Sequence, residues 1–506
     1  MTTKMESAPF AATATGIALL YTAGVQGYVE PCGCTGDPLG GIARFKALID
    51  DAQRAFGGRV VVVDAGDLLF EKLSDDGAVD RCQAEARTEL LVSTYARAGL
   101  VATTRGPLDD VRGAPFRDGL LRKHGIPSLE HGQAQLVERG GSKLLVVGTD
   151  DKDDPALVPK AVGATVHDAV IVLAQMSFKE ALVRAATWSG VDVVIVGRPP
   201  EAPLAPQQVG SAVVVSAGWQ SQYAGLVTLH LQGRTKGAPL RLHDQASIEA
   251  RKKLLDVRLL ELERLLAALP DGEKKQFQQQ RRDVFAQERA GLDGESDVVT
   301  GPAVVVQAIP LQRGMNEEAQ AQRELAYYER SIPSLVGHCE QGVTCPEPAA
   351  GAPSFVGAAT CKACHAAAFD TWQQALVDVV ATTKEGKKIT HRSGHSQAWP
   401  TLVSAGREKD RSCVGCHSAG FDVAGGACTT TLLVDKDLTG VQCESCHGPG
   451  SLHAQSGDAS QIHRVVDEVV CRGCHLPPHI ESAASFIYEQ RLLKILGPGH
   501  QRRKGP

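Results

Sequence analysis

The hydrophobic pattern divides the chain into unlike segments. Up to about residue 245, short β-branched apolar runs recur at Ile17–Tyr21, Val60–Val63, Lys143–Val147, Val170–Leu173, Val191–Val196, Ala212–Ser216 and Leu226–Leu231. Such runs are the pattern of buried strands. Helical or loop stretches separate them, so the spacing predicts a layered α/β domain over residues 1–245.

From 246 to 292 the period changes. Leu255, Leu259, Leu262, Leu266 and Leu269 are spaced 4, 3, 4 and 3, a heptad seam on one helix face. Pro270-Asp271-Gly272 interrupts the run. A more polar helix follows, with Phe277, Val284 and Phe285 on a thin apolar face, which predicts an antiparallel helical hairpin. The seam is short, so the expected role is packing rather than oligomerisation. Residues 293–353 predict a strand at Ala303–Ile309, a helix ending near Ile332, and a linker in the Pro/Gly-rich stretch Cys345–Pro353. Residues 354–506 hold few large apolar side chains for their length.

Composition narrows the classes. The chain has 506 residues and a formal net charge of -5, which excludes a strong bias toward nucleic acid. No apolar run approaches the roughly 20 residues of a membrane span. The unusual figures are 14 Cys and 16 His.

Eight of those Cys fall in four copies of Cys-x-x-Cys-His. The first is Cys361, Cys364 and His365; the second is Cys413, Cys416 and His417. The third is Cys443, Cys446 and His447, and the fourth is Cys471, Cys474 and His475. The chain's own Cys and His frequencies give about 0.01 such motifs by chance. Two thiols three positions apart reach both vinyl groups of one porphyrin, and the following His lies beneath the iron. Zinc also takes paired Cys, but does not require a His after every second one. The expectation is four covalently bound haem c groups. Six further His lie in residues 354–506: His391, His395, His453, His463, His479 and His500. Four six-coordinate irons would use four of them, and porphyrins would supply the missing core.

Trp372, the run Ser393-Gly394-His395 through Ala398-Trp399, and the run Gly440-Val441-Gln442-Cys443 through Gly450-Ser451-Leu452-His453 resemble the multihaem cytochrome c family typified by the tetrahaem electron acceptor of hydroxylamine oxidation. The resemblance covers roughly residues 354–500. It implies a mostly α, haem-packed domain with His395 and His453 as distal ligands to haems other than their nearest neighbours, and His500 as a third. His479 is a weaker candidate. A Lys-rich insertion after Trp372 leaves His391 as an alternative to His395. Bis-His irons would only relay electrons, whereas an open iron would bind a small nitrogen compound.

The first 245 residues resemble the metallophosphoesterase domain of periplasmic 5′-nucleotidases. The resemblance lies in the ordered series Ile17–Gly27, Gly40–Arg44, Val61–Asp67, Val213–Gly218 and Tyr223–Gly225. It implies a layered sandwich, with residues 293–353 as a remnant of that family's second domain. The family holds two metal ions with Asp and His ligands. Here the corresponding positions carry Gly24 and Gln26, Asp67, the run Gly106-Pro107-Leu108-Asp109, Gln175, and the run Gly197-Arg198-Pro199-Pro200. With nearly every imidazole gone, no dinuclear metal site is expected and phosphoesterase activity is expected to be lost. Cys32 and Cys34 lie beside the degraded first motif, as a redox dithiol or soft-metal site with Cys82, or simply as structural thiols. Cys339 and Cys345 suggest a local disulfide, and Cys428 has no evident partner.

The expected function is electron transfer to or from a redox partner protein, with the nucleotidase-like domain docking or binding a small molecule. The alternatives are an oxidoreductase acting on a small nitrogen or sulfur compound at an open haem or at Cys32/Cys34, a metal-dependent phosphohydrolase, and a structural scaffold within a larger redox complex. Covalent haem attachment implies a bacterial periplasmic or otherwise extracytoplasmic location, where disulfides persist. The N-terminus conflicts with that: Lys4 is followed by Glu6, and Ile17–Tyr21 is too short for the apolar core of an export signal.

Overall fold

A computed structural model describes residues 10, 14–31, 39–71, 78–243, scattered positions of 252–266, 273–293, 299, 301–382, 388–475 and 486–497. Cys32, Cys34, Leu269, His479 and His500 lie outside the described residues, and no side-chain placement is described for His391 or Phe277.

Two sheets form the α/β part. The strands of the first are β1 (Ile17–Thr22), β2 (Val60–Asp64), β3 (Leu100–Thr104) and β4 (Ser128–Leu129). Those of the second are β5 (Ala134–Arg139), β6 (Ser142–Asp150), β7 (Ala169–Ser177), β8 (Val193–Arg198), β9 (Gln207–Val209) and β10 (Ala212–Val215). Three later strands, β11 (Tyr223–His230), β12 (Arg241–His243) and β13 (Ala303–Pro310), return to the first sheet. Its order is β12-β13-β11-β1-β2-β3-β4, and that of the second is β5-β6-β7-β8-β10-β9. The strands β1 to β4 are mutually parallel, as are β6, β7, β8 and β10.

Both faces of each sheet are covered, which explains the unbroken apolar runs. Leu19, Val61, Val146 and Ile171 face the space between the sheets. On the outer side of the first sheet, Leu20 and Val62 pack with residues of α1 (Ile42–Ala55) and α2 (Ala78–Arg97). Outside the second, Val172 and Val194 pack with α4 (Leu157–Ala164) and α5 (Phe178–Ala185); α3 (Ala114–Lys123) lies on the α2 side. The result is a four-layered α/β/β/α sandwich, as expected from the strand spacing.

The segment after residue 293 belongs to this sandwich. β13 pairs antiparallel with β11 along its whole length, from Tyr223↔Pro310 to His230↔Ala303. It therefore forms part of the first sheet rather than a remnant of a second domain. The preceding helices are partly described. Leu255 and Leu262 are buried, and Arg289 of α6 (Glu273–Asp293) meets Asp256 at 2.7 Å, joining the two arms; Val284 is exposed.

The next helix, α7 (Ala319–Cys339), runs through Pro333 instead of ending near Ile332. Proline costs a helix one hydrogen bond, but Ile332 and Val336 are buried in the core and Cys339 is bonded to Cys82 of α2. That disulfide, and a second between Cys345 and Cys428, replace the local Cys339–Cys345 bridge expected from proximity. Folding brings α2 and α7 together, so each thiol meets a partner remote in sequence.

The C-terminal region is built of short helices around α8 (Ala358–Gln374), plus an antiparallel ribbon of β14 (Val377–Thr382) and β15 (Lys388–Ser393). The ribbon is the Lys-rich insertion. Its apolar cluster is small, centred on Leu402, Val414, Leu433 and Leu438.

Candidate functional site

Among the described residues, Cys82, Cys339, Cys345 and Cys428 form disulfides and the eight motif cysteines do not. The fold thus separates two classes of cysteine that composition does not. Cys361, Cys413, Cys416, Cys443, Cys446 and Cys471 are half-buried, and Cys364 and Cys474 are exposed. Thiols from different motifs approach one another. The Cys361 thiol donates to Gly357 O at 3.7 Å and lies close to Cys443, a proximity that raises Cys361 and lowers Cys443; Cys416 and Cys474 are likewise in contact.

Cys361 and Cys364, expected to act together on one haem, therefore do not share a setting. Cys361 turns toward Cys443 of the third motif, while Cys364 stands exposed with Lys362, Ala363 and His365 around it. The physical reason is where α8 is packed. Its first turn, with Ala358 buried, rests on the third motif, and Cys364 lies one turn beyond that contact. The motif spacing is regular, but the fold half-buries Cys361 and leaves Cys364 exposed.

The first motif lies on α8, which bends at His365 (φ -115°, ψ 41°). Its start is fixed by the third motif. Glu444, the first residue between Cys443 and Cys446, is 2% exposed and accepts the backbone N–H groups of Val356, Gly357 and Gly450 at 2.8–3.1 Å. The Gln442 side-chain oxygen accepts Ala358 N–H at 2.7 Å, and Trp372 donates to Val441 O at 2.8 Å. A variable position within a Cys-x-x-Cys-His motif gives no sign of such a role in sequence.

Three imidazoles are oriented by carbonyls. Nδ1 of His417 lies 2.7 Å from Ala398 O, that of His447 2.6 Å from His463 O, and that of His453 2.9 Å from Asp458 O. A carbonyl only accepts, so each Nδ1 carries the proton and each Nε2 keeps its lone pair for a metal.

The distal candidates meet motif histidines. The His365 and His453 rings are 6.1 Å apart between centroids, at 25°. The His395 and His475 rings are 6.2 Å apart, at 45°. Two imidazoles on opposite sides of one iron need about 6 Å between centroids, from roughly 2 Å metal–nitrogen bonds plus the ring radii. Burial lowers His395 and His475, keeping both neutral, the form that binds metal. The residues present therefore fit haem. The His453 ring lies beside that of a motif histidine 88 residues before it, and the His395 ring beside one 80 residues after it.

The other candidate region lies beyond the carboxyl ends of β1, β2, β3 and β7, where open parallel sheets place their ligands. Asp64 accepts Thr22 and Thr103 hydroxyls at 2.7 and 2.9 Å and Gly66 N–H at 2.9 Å; burial pushes it up to about 7. Asp67, at φ 53°, accepts Leu108 N–H at 2.8 Å, and burial raises it too. Asp109 is buried and accepts four backbone N–H groups, of Gly106, Asp67, Leu68 and Leu69, at 2.8–2.9 Å. Gln175, 2% exposed, fills the space beside Gly66 and Gly197; a Cβ at Gly66 would lie 2.9 Å from its Nε2. Gln26 is bonded to Gln220 at 3.3 Å, and Arg198 pairs with Asp151. Among the described residues, the group of three or more His, Cys, Asp or Glu close enough to share an ion is His131, Asp150 and Asp153, on the second sheet's side.

Residues 360–448 match the cytochrome c554 and c-prime family. Cytochrome c-554 of Nitrosomonas europaea is 37% identical over 116 residues, which are 22% of this chain and 46% of that protein. This chain thus spans about half the length of the curated relative it matches. Among solved structures, a 5′-nucleotidase precursor from Thermus thermophilus has a TM-score of 0.43 at 16% identity, covering 66% of this chain and 61% of that one. The sulfate thiohydrolase SoxB of Thermus thermophilus gives 0.44 at 14%, covering 64% and 62%. The NAD nucleotidase of Haemophilus influenzae gives 0.43 at 12%, covering 68% and 64%. The cytochrome c554-like segment thus follows the α/β sandwich in one chain. Among the described residues no helix is long and apolar enough to cross a membrane.

Proposed function

We propose that this chain is an extracytoplasmic c-type cytochrome carrying four covalently bound haems, which passes electrons to or from a redox partner protein. The observation that carries the reading is the facing of His365 with His453 at 6.1 Å and of His395 with His475 at 6.2 Å. Haem supplies reversible one-electron chemistry when bound. The eight motif thiols, the exposed Cys364 included, would hold it by thioether bonds, and His365, His417, His447 and His475 would be proximal ligands. His453 and His395 would be distal ligands to the first and fourth haems. With a histidine on either side, those two centres would relay electrons rather than bind a small molecule. The thiol contacts Cys361–Cys443 and Cys416–Cys474 support pairing of the first haem with the third and the second with the fourth. The two disulfides support an oxidising compartment.

The same reading makes the sandwich catalytically degenerate as a phosphoesterase, kept for docking or for a small ligand. Its support is Asp109, whose carboxylate occupies four backbone donors at the strand ends. The test is the intact mass and pyridine haemochrome of the protein matured with a cytochrome c assembly system. Four haems per chain are expected, and fewer overturn the reading. Phosphate release from nucleotides with added manganese or zinc would overturn the degenerate role.

A further inference from the structure

The second haem motif is gripped by the α/β sandwich. Asp410, 1% exposed, caps the helix Arg411–Val414 that carries Cys413; its carboxylate accepts Ser412 N–H at 3.1 Å and Ser412 Oγ at 2.6 Å. Gln83 of α2 reaches across and completes that cap. Its amide donates to Asp410 at 2.5 Å and accepts Arg411 N–H at 3.0 Å. Arg407 then joins the cap to the sandwich. It meets both Glu30 oxygens at 2.9 and 3.0 Å, Asp410 at 2.5 Å and Glu329 of α7 at 3.7 Å. Arg411 is bound by Asp80 of α2, by Asp422 at 2.7 Å and by Cys428 O at 3.0 Å. Glu340, which caps the end of α7, accepts Thr430 N–H at 2.6 Å. The disulfides Cys82–Cys339 and Cys345–Cys428 tie α2 to α7 and the following linker to the same region.

Arg407 is thus a cation held between a carboxylate of the sandwich and the carboxylate that starts a haem-binding helix. Ferric haem carries one more positive charge than ferrous haem. A partly buried cation nearby favours the ferrous form and a partly buried anion the ferric form, with less screening than at an open surface.

We propose that Arg407 is a positioning residue that raises the reduction potential of the haem attached at Cys413 and Cys416, and that Glu30 of the α/β sandwich opposes it, so that the sandwich sets this haem's potential. The inference rests on the tetrahaem reading. The half-reaction concerned is one electron added to ferric iron to give ferrous iron.

The test is a spectroelectrochemical titration of the matured full chain, resolved into four one-electron components. In Arg407→Gln one component moves to lower potential, and in Glu30→Gln the same component moves higher. Each changes its reduced-to-oxidised ratio at fixed potential roughly tenfold, which is about 59 mV for one electron. Arg407→Lys keeps the charge and restores the component toward the parent value. Opposite signs are not what a packing defect gives. If the two variants shift the same way, if all four components move together, or if none moves, the inference is overturned. Should Arg407→Gln fail to mature, the Glu30→Gln and Arg407→Lys pair decides the matter. The haem count separates the two claims. Fewer than four haems in the parent defeats the tetrahaem reading and this inference with it; four haems with unmoved potentials defeat only this inference.

Discussion

Glu444 accepts the backbone N–H of Gly357 at 2.8 Å, tying the inside of the third haem motif to the start of the helix that carries the first. It does the same for Val356 and Gly450. Removing a buried acceptor strands its donors at about 1–3 kcal/mol each. Glu444→Ala is therefore expected to lower the stability of the haem region by roughly 3 kcal/mol or more. Guanidinium denaturation followed in the Soret band measures it, with a shift below about 1 kcal/mol counting against the arrangement.

His453→Ala is expected to convert one low-spin haem to high-spin, and His395→Ala a different one. Low-temperature EPR of the ferric protein distinguishes them. A spectrum unchanged in both variants would remove the two facing pairs as ligand sets.

Disulfide mapping under non-reducing conditions should recover peptides joining Cys82 to Cys339 and Cys345 to Cys428. A Cys339–Cys345 peptide would contradict the fold. Cys82→Ser is expected to cost about 2–5 kcal/mol, since the bond closes a loop of several hundred residues.

Asp64 gives the sandwich a pH dependence. Its folded-state value, about 7, lies above the unfolded 3.8. Below about pH 4 the group is protonated in both states and costs nothing. As pH rises toward 7 the unfolded chain releases the proton while the folded one retains it, so stability falls, by up to about 4 kcal/mol. Asp64→Asn should flatten that fall. Urea midpoints at pH 4.5, 6 and 7.5 make the comparison, and equal slopes in both proteins would refute the assignment.

Much of this was legible in the chain because burial on two faces leaves a one-dimensional trace. The runs at Val60, Val170 and Ala212 marked β2, β7 and β10 within a few residues. β5 escaped because Ala134, Leu136 and Glu138 are exposed, so it shows no apolar run. β3 is only five residues long and ends in two threonines. Periodicity could not have shown the His365–His453 and His395–His475 ring contacts, because each links residues 80 or more positions apart. The unequal settings of Cys361 and Cys364 were equally hidden, since the motif repeats its spacing whatever packs against it. Gln83, Glu444 and Asp109 carry no local signature, since their work is to bind backbone groups that only the finished fold presents.

The pairing of Cys339 and Cys345 with remote partners bears on how the molecule is made. Among the described cysteines, four are joined in disulfides and the eight of the motifs are not. The quickest wrong bond, Cys339 to Cys345, joins residues only six apart in sequence. The correct bonds exist only after α2 and α7 have packed. Sorting is therefore a matter of timing during biogenesis: α2 and α7 have to pack before Cys82 and Cys339 are oxidised.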